Sequence, residues 1–185
     1  MIKEEFDIGT PQFVIAFKDN DLPQKGENYV RRDAEMSVLC EMLFGKSSAL
    51  YNELYEENLI NDSFSSGYEG ELTYAFLSVS GESKDPDGVY NKIKKRVDEI
   101  KKEGFSKEAF ERAKRVCYGR ALKLLDSQES FANEFVRFAL KDADLLSYPK
   151  IVAKISEDEI KERLSKLDTK KCVLSAVYPK GGIKK

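Results

Sequence analysis

The most constraining feature of this chain is a change of hydrophobic period within residues 43–83. Before Asn61, apolar residues recur at spacings of three and four, which predicts a helix with one buried face. That face carries Leu50, Tyr51, Leu54 and Tyr55. Ser47 and Ser48 precede this helix as candidate N-caps. Gly45 ends the helix before it, as a residue that tolerates a left-handed conformation.

After Asn61-Asp62 the pattern alternates, which predicts a β-hairpin. Residues 63–68 form its first strand, Glu69-Gly70-Glu71 its turn and residues 72–80 its second strand. The second strand has Leu72, Tyr74 and Phe76 on one face, and Thr73, Ala75, Leu77 and Val79 on the other. Helices can cover only one of these apolar faces. The other is either presented to a partner domain or peptide, or covered by the N-terminal strand or a loop.

The remaining segments predict one more strand near each end of the chain, with helices between. Residues 12–18 and 171–178 are nearly continuous apolar runs, typical of central strands covered on both faces. Asp126 and Glu129 have capping-box spacing for a helix with a stripe of Phe131, Phe135 and Phe138, and we expect Phe135 to be buried against the sheet. The predicted fold is α+β in two layers, with helices on one face of a mixed, mostly antiparallel sheet of about four strands.

Composition excludes several kinds of active site. The 185 residues include no histidine, so a histidine zinc site and a Ser-His-Asp or Cys-His arrangement are excluded. The three widely spaced cysteines predict buried, reduced thiols. The formal charge of −2 and the lack of a long apolar run favour neither nucleic acid nor membrane as a partner. Because no signal-like segment precedes Pro11, we expect a cytoplasmic protein, although a fragment could have lost such a signal.

The helix-to-strand stretch resembles a known family. The run from Ser48 to Leu54, followed by Ser63-Phe64-Ser65, is similar to the second, non-catalytic half-domain of the insulinase/pitrilysin zinc metallopeptidases, the inverzincins, which include the mitochondrial processing peptidases. The resemblance covers the element order over nearly the whole chain. It implies a single domain over residues 1–185, resembling the C-terminal non-catalytic domain and belonging to a longer polypeptide. It also implies the two-layer half-domain architecture, two copies of which enclose a peptide chamber.

The resemblance carries expectations about function and partners. The domain would wall the chamber and help position peptide substrate for a catalytic half, located in the same polypeptide or in a homologous subunit. Zinc would be bound only in that catalytic half, and this chain would hold no cofactor. The alternative is a degenerate, non-enzymatic interaction or scaffold domain of the same fold. An H-x-x-E-H helix upstream of this chain would favour the peptidase.

Four residues are candidate contacts to substrate or partner. Many family members have an arginine and a tyrosine that reach across the chamber, and in the register set by Ser48 these positions fall on Tyr55 and Asp62. Both depart from the family pattern, so recognition of a substrate carboxylate there is not expected. A structural interpretation is that Tyr55 packs on the helix and Asp62 caps the turn. Tyr74 and Phe76, on the hairpin face that helices need not cover, are the other two candidates.

Overall fold

A five-stranded sheet forms one layer of the molecule. The computed structural model describes residues 1–183. The strands are β1 (Ile2–Phe6), β2 (Gln12–Lys18), β3 (Ser65–Gly70), β4 (Ala75–Glu82) and β5 (Cys172–Pro179). Their order is β1-β5-β2-β4-β3, and only the β1–β5 pair is parallel. The predicted α+β class is confirmed, with five strands rather than four. The additional strand is β1, whose side chains are all exposed and which therefore has no buried-strand pattern.

Within residues 1–183, seven α-helices form the second layer. They are α1 (Glu27–Phe44), α2 (Ala49–Glu56), α3 (Pro86–Glu103), α4 (Lys107–Leu124), α5 (Gln128–Ala139), α6 (Tyr148–Lys154) and α7 (Glu157–Lys166). Single 3-10 turns, Leu145–Ser147 and Thr169–Lys171, precede α6 and β5. Helix α1 lies at the centre and packs against β3, α4, α6 and α7. No helix within residues 1–183 is both long enough and apolar enough to span a bilayer.

The core lies between the helices and one face of the sheet. Phe13, Ile15 and Phe17 of β2 point into it together with Leu77 of β4 and Leu174 of β5. The intervening residues do not, and Val14 is 46% exposed. The prediction that the central strands are covered on both faces is therefore wrong. Their position in the sheet is as predicted, since β2 lies between β4 and β5 and β5 lies between β1 and β2.

Side-chain caps fix where most of the helices begin. The Ser48 side chain accepts a hydrogen bond from the Tyr51 amide. The side chain of Asp85, the residue directly before Pro86, accepts one from the Gly88 amide. Gly45, in contrast, is extended (φ −62°) and not left-handed. A Cβ there would lie 2.5 Å from the Glu41 carbonyl oxygen, so the close approach of the backbone requires glycine. The cap of α5 is one residue later than predicted, because Ser127 and not Asp126 accepts from the helix.

The hairpin turn is also displaced. Gly70 still pairs with Ala75, so β3 continues through the predicted turn and residues 71–74 make the connection. Leu72 and Tyr74 consequently lie in the turn and not in the second strand. The predicted division of faces survives this shift: Ala75, Leu77 and Val79 are buried under the helices, and Phe76 lies on the opposite face.

The aromatic stripe of α5 is oriented differently from the prediction. Phe138 is 1% exposed and makes edge-to-face contacts with Tyr29 and Tyr148, with ring centroids 5.4 and 5.8 Å apart. Phe135 is 49% exposed and stacks only on the partly buried Phe131. Residues three apart on a helix differ by about 60° in direction, so only one of these rings can point straight at the core. The prediction that Phe135 is buried is wrong.

Candidate interaction surface

The face of the sheet opposite the helices is uncovered by any segment within residues 1–183. We call it the open face and define it by the register of the strands. Its residues are Ile2, Glu4 and Phe6 of β1, Gln12, Val14, Ala16 and Lys18 of β2, Ser65, Gly67 and Glu69 of β3, Phe76, Ser78, Ser80 and Glu82 of β4, and Val173, Ser175 and Val177 of β5. The predicted N-terminal strand, residues 12–18, is β2 within the sheet, and the additional strand β1 pairs at the edge, so neither strand covers this face. Of the two alternatives left by the sequence, covering of this face by the N-terminal strand is therefore wrong.

The middle of the open face is built from small side chains. Opposed across the strands are Ser65, Ser80, Val14 and Ser175 in one row, and Gly67, Ser78, Ala16 and Val173 in the next. Side chains of this size leave a low floor between strands that are about 4.8 Å apart. Exposed valines, such as Val173 at 50%, make the floor partly apolar. A second layer of protein or an extended peptide can approach the backbone of the sheet closely here.

An aromatic pair stands at the hairpin end of this floor. The Tyr74 and Phe76 rings stack with centroids 6.2 Å apart and an interplanar angle of 16°. The Tyr74 hydroxyl donates to Glu69 Oε1 at 3.0 Å, and this bond raises the pKa of Tyr74. Beside the pair is a depression of about 460 Å³, lined by Ala16, Leu22 and Val173 among others. The pair offers flat apolar area whose orientation is fixed by the Tyr74–Glu69 hydrogen bond.

Tyr55 and Asp62 lie at the other end of the hairpin. Helix α2 precedes the start of β3, whereas Tyr74 follows its end, and a strand of this length separates the two ends by about 17 Å. Tyr55 is 48% exposed and stacks on Tyr51 at 5.9 Å. The Asp62 carboxylate is exposed, and its oxygen lies 3.9 Å from Lys46 Nζ. The structure thus brings Tyr74 and Phe76 together, but not Tyr55 and Asp62 with them.

The turn before β3 is capped by a neighbour of Asp62. The Asn61 side-chain oxygen accepts from the Ser63 amide at 2.9 Å, and the Asn61 amide group donates to Glu82. This is an Asx turn, which asparagine forms as readily as aspartate. The structural role predicted for Asp62 therefore belongs to Asn61, while Tyr55 packs on its helix as predicted.

The described residues contain no cluster of metal-ligand side chains, and their three thiols are buried. Within residues 1–183 no three His, Cys, Asp or Glu side chains converge as a metal site, so these residues do not fit a zinc ion. Cys40, Cys117 and Cys172 are buried and free, as predicted from their spacing. Burial raises the pKa of each thiol to about 12, so the thiols stay protonated at neutral pH.

A buried polar network was not recognised in the sequence. Asp33 on α1 is buried, and its carboxylate accepts from Arg137 on α5 at 3.0 Å. Arg137 also donates to the Tyr29 hydroxyl and to Glu134. Burial raises the pKa of Asp33 against the attraction of Arg137. Burial and the neighbouring Asp33 charge raise the pKa of Tyr148. The network anchors α5, and because Asp33 and Arg137 are far apart in sequence no local signal indicated it.

Comparison with known proteins assigns the fold. A family model described as the peptidase M16 inactive domain matches residues 1–117. The zinc protease YmfH of Bacillus subtilis, itself uncharacterized, is 28% identical over 159 residues, which are 84% of this chain and 36% of that protein.

Solved structures agree with this assignment. An M16-like peptidase from Alicyclobacillus acidocaldarius superposes with a TM-score of 0.89 at 26% identity, over 96% of this chain and 43% of that one. The inactive peptidase domain of a zinc protease from Bordetella parapertussis has the same fold, with a TM-score of 0.74 at 15% identity, over 95% of this chain and 94% of that one. This chain spans less than half the length of the first two relatives. It belongs to the family of the peptidase M16 inactive domain.

Proposed function

We propose that this chain is the non-catalytic half of a zinc metallopeptidase and that its open face forms one wall of the peptide chamber. The observation that carries the proposal is the uncovered, partly apolar sheet face with Tyr74 and Phe76 at one end, in a family member whose described residues hold no metal site. The corresponding domain arrangement, residues 1–185 as one domain of a longer polypeptide, is part of the same proposal. It is supported by the relatives that are more than twice as long.

Substrate would contact the open face through shape and apolar area. An extended peptide has the same rise per residue as the strands and can lie on the small-residue floor. The Tyr74–Phe76 pair would then hold an apolar side chain at the hairpin end. Tyr55 and Asp62 would contact only a substrate that reaches the far end of the hairpin. Neither offers a cation, so no ion pair with a substrate carboxylate is proposed there.

The alternative function is a scaffold or interaction domain in which both halves are inactive. The observation that favours it is the position of Tyr55, which is stacked on Tyr51 where family members place a charged cross-chamber residue. The two functions make opposite predictions for the longer polypeptide. A catalytic half with the H-x-x-E-H helix would bind zinc and cleave peptides, whereas a scaffold would do neither.

The proposal is tested by steady-state kinetics of the full-length protein. Tyr74→Ala should raise KM for peptide substrates about fivefold or more, because a large contact is lost in the bound state, and should leave zinc content unchanged. The double variant Tyr55→Ala/Asp62→Ala should raise KM less. Tyr118→Ala is the matched control, since this tyrosine is 39% exposed on α4, in the helix layer. Wild-type KM in the Tyr74→Ala variant, with the fold intact, would contradict the proposal.

A further inference from the structure

Lys18 is the one cation among the residues that define the open face. It is exposed at the end of β2 and lies directly opposite Phe76 in the pairing of β2 with β4. The Asp19 amide donates to the Ala75 carbonyl at 2.9 Å, so Lys18 and Phe76 form the next, non-hydrogen-bonded pair. The Cα atoms of such a pair are about 4.5 Å apart and their side chains are close together. The Lys18 side chain therefore lies next to the Tyr74–Phe76 aromatic pair.

Lys18 forms no ion pair within residues 1–183, and the carboxylates nearest to it in the sheet are engaged elsewhere. The Asp19 carboxylate lies on the helix side of the sheet, where it accepts from Arg32 at 3.3 Å and from the Tyr68 hydroxyl at 3.1 Å. Glu69, on the far side of β4, accepts from the hydroxyl of the aromatic pair at 3.0 Å. An ammonium group without a carboxylate partner, on a partly apolar surface, favours a ligand with a negative charge.

The depression beside this lysine ends where the strands end. It has a volume of about 460 Å³, and Ala16 and Val173 line it on the side of the small-residue floor. Asn20 and Leu22, in the loop after β2, and Thr73, in the hairpin turn, bound it beyond the strand ends. A peptide that lies along the floor therefore reaches its limit here, and the depression has room for the side chain of its last residue.

The C-terminal residue of a peptide presents the two groups that match this arrangement. Its carboxylate and its side chain are attached to the same Cα, so they can reach an ammonium group and an aromatic pair that lie side by side across two strands. In an extended peptide, side chains on the same face are two residues, or about 6.8 Å, apart along the strand direction. An acidic side chain near an apolar one would therefore lie further along the floor and not across from the aromatic pair.

We propose that Lys18 and the Tyr74–Phe76 pair bind the C-terminal residue of a peptide, with its carboxylate on the Lys18 ammonium and an apolar or aromatic side chain in the depression. This inference rests on the function proposed above and narrows its substrate class to peptides that end in an apolar residue with a free carboxylate. Lys18 is then a residue that determines specificity and not a catalytic residue.

The first test compares a free carboxylate with an amide. The probe is an octapeptide of glycine and serine that ends in phenylalanine and carries fluorescein at its N-terminus, prepared as the free acid and as the C-terminal amide. Its binding to the full-length protein is followed by anisotropy in the presence of a chelator, so that any zinc-dependent cleavage is blocked. The acid should bind about fivefold more tightly than the amide, because a single exposed ion pair contributes an effect of this size. Glycine in place of the terminal phenylalanine should weaken binding about tenfold.

The second test changes the cation. Lys18→Met keeps an unbranched apolar stem without the charge and should remove the preference for the acid over the amide, whereas Lys18→Arg should retain it. Lys150→Met is the matched control, since it removes the same charge from an exposed position of α6 in the helix layer and should leave the preference unchanged. Because Lys18 is exposed at the end of a strand, its variants should fold.

The outcomes separate this inference from the function on which it rests. Equal binding of acid and amide by the wild type, or a preference that survives Lys18→Met, would overturn the inference alone, since apolar contact with the open face needs no carboxylate. Absence of saturable binding by every peptide would also overturn it. So would equally tight binding of an amidated peptide with aspartate two residues before its phenylalanine, because Lys18 would then bind an acidic side chain. The proposed function fails separately, if Tyr74→Ala leaves KM at the wild-type value.

Discussion

The two faces of the sheet differ in how far their side chains are buried and therefore in how much they stabilise the fold. On the helix face, Phe13, Ile15, Phe17 and Leu77 are at most 2% exposed and fill the core. On the open face, small residues form the floor, Ile2 and Phe6 are exposed on β1, and the Tyr74–Phe76 pair lies at the hairpin end. Burial against helices explains the first set, because transfer of such side chains from water stabilises the fold. It does not explain the second set, for which we propose contact with another part of the protein or with a peptide.

The largest expected difference is between two phenylalanines on opposite faces. Phe17→Ala should lower the free energy of unfolding by about 3–5 kcal/mol, because Phe17 is fully buried and stacked near Phe44. Phe76→Ala, on the neighbouring strand but on the open face, should cost less than about 1 kcal/mol in the isolated chain. Denaturant melts measure both. Equal losses would show that the open face is part of the stabilising core.

Helix α5 allows the same comparison within one element. Phe138→Ala should cost about 3–5 kcal/mol, since it removes the ring that packs between Tyr29 and Tyr148. Phe135→Ala should cost less than about 1 kcal/mol, because the ring is half exposed. Thermal or denaturant unfolding of the two variants measures both losses of stability. A larger loss for Phe135→Ala would restore the orientation predicted from the sequence.

The ion pair between the partly exposed Arg137 and the buried Asp33 extends the comparison to polar side chains. Arg137→Ala should cost about 3 kcal/mol, because Asp33 would keep a buried carboxylate without its partner. The pKa of Asp33, already raised by burial, should then rise further, and the variant should be destabilised more as pH rises above the carboxylate range. Unfolding measured across acid to neutral pH tests this. A pH-independent loss would indicate that packing and not charge dominates.

The smallest expected effect is that of Asp21, a charged residue at the surface. Hydrogen bonding to Lys166 holds the pKa of Asp21 well below its usual 3.8. A depressed folded pKa gives stability that is present above the unfolded pKa and is lost as pH falls below it. Because Asp21 is partly solvent-exposed, Asp21→Asn should cost less than about 1 kcal/mol at pH 7, and the difference from wild type should shrink below pH 3.8. Melts at neutral and acid pH measure the difference, and one that grows on acidification would contradict the assignment.

Features with local causes were predictable from sequence. The cap at Ser48 depends on residues within one helical turn, and the division of faces in β4 depends on strict alternation. Alternation predicted Tyr74 on the same face as Phe76, and the two rings do stack, although Tyr74 lies in the turn. These features needed no knowledge of distant contacts.

Features set by distant contacts were not predictable. Strand β1 is exposed and pairs with β5, at the opposite end of the chain, so it leaves no burial pattern. Periodicity predicted the aromatic stripe of α5 but not which ring faces the core. That orientation depends on packing of Phe138 against Tyr29 and Tyr148, which lie on other helices. Tyr55 and Asp62 could be placed near β3, but their distance from Tyr74 depended on where the hairpin turns.

The central claim, that the open face contacts peptide or the catalytic half, is tested most directly by site-specific photo-crosslinking in the full-length protein. A photoreactive phenylalanine analogue replaces Phe76 on the open face or, in a matched control, the exposed Phe135 in the helix layer. The account predicts crosslinks from position 76 to bound peptide or to the catalytic half, and none to either from position 135. Crosslinks from position 135 alone would contradict it and would place the contact surface on the helices.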